Sequence, residues 1–149
     1  MATVMSQIDK TNKMNRDRKQ YIVYALCLGG LILHLKTAFW ESAEPFDSFS
    51  LKLLLGSLIP YVVIIIFRKA SYGALCAAVV VFLFDLFMHL EAFVWPSSST
   101  AALGLLFMPI WNTVFFVPLS FLVGYFIQER INKKNKQTTH NKPIEADRE

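Results

Sequence analysis

The stretch VVVFLFDLFMHLEAFVW, residues 79–95, sets an aspartate, a histidine and a glutamate into an otherwise apolar run. Asp85 and His89 are one helical turn apart, on the same face of any helix that carries them. A carboxyl group and an imidazole at that spacing offer two kinds of chemistry. They can take up a proton or a cation, histidine being the side chain that changes charge near neutral pH. Alternatively, they can tie neighbouring helices in register, each hydrogen bond contributing about 0.6–2 kcal/mol. Either role requires that the run lie inside a membrane.

The elements around it supply that setting. Of the 149 residues, 54% are hydrophobic and only 17% charged, and the charges gather at the ends and in short connections. Soluble domains carry about a quarter of their residues as charges. Four segments are free of charge or nearly so: Tyr21 to Trp40, Leu51 to Phe67, Tyr72 to Trp95, and Ala101 onward to Gln128. A helix of about 20 residues crosses a hydrocarbon core of roughly 30 Å. The second segment spans if it begins near Leu51 with Lys52 reaching outward, and the fourth is long enough to need tilting or kinking. Continuous runs such as VVIIIF and AAVVVFLF exclude the alternating pattern of a barrel strand. The first segment follows basic residues but lacks a small-residue cleavage pattern, so it reads as a retained anchor.

The chain is therefore expected to be an all-α membrane protein, a four-transmembrane-helix bundle. Residues 1–20 form a basic amino-terminal segment; residues 21–128 form the bundle, with helices about 21–40, 51–67, 72–95 and 101–128; residues 129–149 form a polar tail expected to be disordered. In a four-pass arrangement every basic residue except Lys36 and Lys52 falls on one side, while Glu41, Glu44, Asp47 and Glu91 fall on the other. The positive-inside rule then puts both termini in the cytoplasm of a bacterial-type inner membrane. The net charge of +4 is a topology signal, and nucleic-acid binding is not expected. Cys27 and Cys76 both fall near the cytoplasmic side, where they behave as small buried hydrophobes rather than as a disulfide.

Depth brings further polar residues to the level of Asp85. His34 sits toward the outer end of the first helix, and Asn112 lies about twelve residues into the fourth at 1.5 Å per residue. His34, Asp85, His89 and Asn112 can thus converge as an intramembrane polar cluster, with Ser57 and Tyr61 as further donors. Rotation about each helix axis stays open. In the fourth helix, Pro109 and Pro118 each remove a backbone donor, and their spacing sets them about 180° apart. Ser120 and Gly124 form a small-xxx-small pair suited to helix packing, and Trp111 is expected to pack or to line a groove. The loop AFWESAEPFDSFS has the aromatics of a membrane interface. Pro96 stops the third helix, and Ser99 or Thr100 can cap the fourth.

Enzyme signatures are missing from the sequence: no HExxH, no GxSxG, no phosphate-binding glycine loop and no Cys/His metal cluster. A membrane aspartyl protease needs two acids in one site, and only Asp85 lies at depth. Neither cofactor nor metal is expected. The expected role is non-catalytic: helix–helix association in the lipid bilayer with a membrane-protein partner or with further copies of the chain. That partner would make the protein an accessory subunit of a complex or an immunity-type protective protein. The rival expectation is a small oligomeric proton- or cation-linked transporter or channel using Asp85 with His89.

Overall fold

The computed structural model describes residues 2–40, 48–69, 71–95 and 101–140. All regular structure among them is helical: α1 (Ala2–Trp40), α2 (Ser48–Ile66), α3 (Ser71–Phe93) and α4 (Ala101–Trp111), a π-helical turn (Asn112–Phe116), and α5 (Val117–His140). The last three follow one another without a break and form the fourth rod. In a hydrocarbon surround, long runs of Leu, Ile, Val and Phe would leave the backbone no partners but its own, and only a helix satisfies every peptide group within one segment.

Three helices are long and apolar enough to cross a membrane, with candidate spans Met14–Trp40, Tyr72–Phe93 and Gly104–Lys134. The apolar part of α2, Ser50–Ile66, is shorter; all 19 residues of α2 reach only about 28 Å at 1.5 Å per residue.

The largest departures from the expected boundaries are at the outer ends of the first and fourth rods; α2 also begins three residues early, at Ser48, and α3 ends two early, at Phe93. The basic amino-terminal segment is not set apart from the first span, because α1 is a single helix of 39 residues. Its Gln, Lys, Met and Arg are good helix formers that propagate the turn outward. Likewise α5 runs on to His140, so the polar stretch after Arg130 is helical that far instead of disordered. There Glu129 and Lys133, paired at 2.7 Å one turn apart, support the exposed helix. The acidic loop 41–47, the proposed caps Ser99 and Thr100, and residues 141–149 lie outside the described residues.

Beside an apolar core, the rods bury a polar set and turn large apolar side chains outward. Buried positions include His34, Ser57, Asp85, His89, Asn112 and Ser120, while Leu28, Ile32, Leu55, Ile59, Leu83, Phe87, Phe107 and Phe115 face outward. Apolar residues outside and polar ones within suit a hydrocarbon surround. Trp40 and Trp95 stand largely exposed at the carboxyl ends of α1 and α3, with Tyr21 and Tyr125 exposed toward the opposite end; amphipathic rings at both ends match the aromatic belts of membrane proteins.

α3 is the central rod, touching α1, α2, α4, the π-helical turn and α5. Small side chains let its neighbours approach: Ala74, Ala77 and Ala78 are buried in the core with Val23, Cys27, Ile64, Val81 and Val117. Gly124 lies directly on Gly73, so that a Cβ at 124 would collide with the Gly73 backbone and come within 2.7 Å of the Tyr72 carbonyl carbon. Ser120, one turn before Gly124, is also buried. α2 and α3 form a tight hairpin through Phe67, Arg68 and Lys69. Arg68 of the turn donates to the Tyr24 hydroxyl of α1 at 2.7 Å, and Lys19 rests 3.5 Å over the Tyr72 ring, fastening α1 to the start of α3 by a cation–π contact.

Candidate functional site

Asp85 is completely buried. One carboxylate oxygen, Oδ2, accepts from the Tyr61 hydroxyl at 2.5 Å and pairs with His34 Nε2 at 2.9 Å. The other, Oδ1, accepts from Asn112 Nδ2 at 2.5 Å. These partners stand on α2, α1 and the π-helical turn, so a single side chain of α3 is bonded to every other rod. Of the four residues grouped by depth, the structure joins His34, Asp85 and Asn112.

His89 takes different partners. Its Nδ1 lies 3.1 Å from Thr37 Oγ1, and its Nε2 lies 3.5 Å from Lys36 Nζ. The ammonium group only donates, so Nε2 accepts in that contact. Thr37 gives its hydroxyl proton to the Leu33 carbonyl at 3.1 Å, which leaves its oxygen to accept from Nδ1–H. The helical rise explains the separation: four residues carry His89 about 6 Å along α3 from Asp85, to the level of Thr37 rather than His34. The polar interior is therefore two stacked sets, one centred on Asp85 and one on His89.

Each partner reaches Asp85 because of a local feature of its own helix. Tyr61 crosses toward α1 where Gly30 leaves room: a Cβ on Gly30 would overlap the Tyr61 ring and hydroxyl. Burial of that ring and its edge-on packing at 5.9 Å from His34 hold the hydroxyl on the carboxylate. Pro60, just before Tyr61, is fully buried in mid-helix and leaves the Gly56 carbonyl without its helical donor. From depth along the sequence Tyr61 is only a further donor, and Pro60 and Gly30 do not stand out. Their signal was a tyrosine and a glycine at similar depth in adjacent helices, which says nothing of rotation.

Asn112 opens the π-helical turn, which closes with the Val117 N–H bonded to the Asn112 carbonyl. Pro118 follows at once. In a regular α-helix its ring would press on the Val114 carbonyl; a widened turn just before it removes that clash and shifts the helix face by one residue. Thr113 donates to the Pro109 carbonyl at 2.8 Å, satisfying an acceptor near the other proline. The two prolines face opposite ways, Pro109 buried and Pro118 exposed. Trp111 is half exposed on the outside of the bundle, stacked on Phe115 at 4.8 Å, and so belongs to the lateral surface rather than to the interior.

Two further features border the cluster. Asn112 Oδ1 is buried without a hydrogen-bond partner. A pocket of about 20 Å³, bounded by His34, Thr37, Ser57, Leu105 and Met108, has room for about one water. Among the described residues, no group of three or more His, Cys, Asp and Glu side chains is placed to hold a metal ion. Cys27 is buried and Cys76 partly so, both as free thiols. No protein-family model matches the chain, and neither a curated protein nor a solved structure is significantly similar to it.

Proposed function

We propose that this chain is a small, non-catalytic, multi-pass inner-membrane protein that works by lateral helix–helix association with a membrane partner. It would serve as an accessory subunit of a membrane complex or as an immunity-type protective protein. Both termini lie in the cytoplasm, on the positive-inside argument. The observation that carries this reading is Asp85: wholly buried, it is bonded on both oxygens to all the other rods. A carboxylate so occupied acts as a register pin, leaving the lateral surface as the working surface. That surface includes an apolar groove of about 510 Å³ between α3 and α5, lined by Val79, Val80, Phe116, Leu119 and Val123 among others.

A second reading, a proton- or cation-linked transporter or channel, draws support from the unpartnered Asn112 oxygen and the small pocket beside His34. Flux in proteoliposomes separates the two. On the association reading, vesicles holding the purified chain pass protons, Na⁺ and K⁺ no faster than empty vesicles. Flux well above that of empty vesicles and lost in Asp85→Asn would give the function to the second reading.

A further inference from the structure

Asn112 is bonded to Asp85 through one half of its amide while the other half, Oδ1, is buried without a partner. An unpartnered buried acceptor costs about 1–3 kcal/mol, and a well-tied helix bundle has little reason to keep one. The groups facing Asp85 explain it. His34 approaches from α1, Tyr61 from α2 and Asn112 from the π-helical turn. His89 stands one turn along α3 with Lys36 beyond it, and Cys27 shares the core cluster with Tyr61. Tyr61 and His34 meet Oδ2; the Asn112 amide meets Oδ1 and is the one neighbour that can present either a donor or an acceptor there without moving its backbone.

We infer that Asp85 is a proton-binding site latched by the Asn112 amide. In the state described here Asp85 Oδ1 is an acceptor and the amide offers Nδ2–H. When a proton adds to Oδ1, that oxygen becomes a donor and two donors face each other. Rotation of the amide by half a turn brings its oxygen round to accept the new O–H. One hydrogen bond is kept in each state, and one half of the amide is unpartnered in each. The rods therefore stay in register whether Asp85 is charged or neutral. Nothing is oxidised or reduced; one proton enters and the carboxylate charge is lost. The inference goes beyond the association reading and does not depend on it, since a register pin with a latch tolerates both states.

Infrared difference spectra test it, recorded between high and low pH on the full chain in phosphatidylcholine vesicles. The expected spectrum shows a protonated-carboxyl C=O band at low pH, absent from Asp85→Asn. The same spectrum shows a shift of a side-chain amide C=O band that moves on isotope labelling of asparagine and is lost in Asn112→Leu. The labelled wild-type spectrum stands even if Asn112→Leu does not fold. No Asp85 carboxyl band anywhere in the pH range where the protein stays folded would overturn the inference. So would uptake read as an imidazolium signal of His34, or a carboxyl band with no accompanying amide shift.

Discussion

At the scale of single residues, the interior turns on how many donors one carboxylate holds. Tyr61→Phe removes one of them and is expected to cost about 0.6–2 kcal/mol, read as a modest fall in the detergent unfolding temperature. Gly30→Ala should cost more than Tyr61→Phe, because its methyl occupies the space of the Tyr61 ring and hydroxyl and displaces the packing as well as the bond. An equal or smaller loss for Gly30→Ala would show that Tyr61 does not depend on that notch. Asp85, His34 and Asn112 were legible in the sequence because polar side chains are costly in apolar runs and must find one another. Tyr61 was only half legible. Which face of α2 turns inward depends on Gly30 across the interface, and depth counting carries no rotation. His89 shares a face of α3 with Asp85, yet its contacts with Thr37 and Lys36 lie about a turn beyond His34 on α1.

At the scale of elements, the fourth rod is the one whose local chemistry and tertiary role are most closely joined. Removing a proline from a helix ordinarily gains about 3 kcal/mol. Pro118→Ala should gain much less, because relaxing the π-helical turn to a regular one would rotate Asn112 away from Asp85. In an Asp85→Leu background that restraint is gone, and the same substitution should recover the larger gain; the two changes are then non-additive in a double-mutant cycle. Additive effects would show that Asp85 does not hold the turn. The sequence marked both prolines and their opposite faces, yet the turn type escaped it, because the extra residue depends on what Pro118 would strike and on where Asn112 must point. Gly124 was legible as a packing residue from its spacing with Ser120; its meeting with Gly73 required the crossing of α3 and α5. The helical extensions at both ends were missed because composition there is polar, and polarity alone does not separate a projecting helix from a disordered tail.

At the scale of the whole molecule, the chain is a helical bundle with an apolar lateral surface, tied at one level by a single buried acid. Reporter fusions after Arg68 and after Arg130 should read cytoplasmic, and those near Asp47 and Ser98 external. A cytoplasmic signal at Asp47 would end the four-pass arrangement. The central claim is that Asp85 holds the rods together, and paired substitutions with thermal unfolding in detergent test it most directly. Asp85→Asn keeps shape and hydrogen bonding: its oxygen can accept from Tyr61 and His34, and its amide can donate to the Asn112 oxygen. It should unfold close to the wild type and keep whatever cellular activity the wild type has. Asp85→Leu strands three donors and should lose roughly 2 kcal/mol or more, seen as a clear drop in unfolding temperature. An Asp85→Leu protein as stable as the wild type, or an Asp85→Asn protein that is folded, inserted and inactive, would contradict the account.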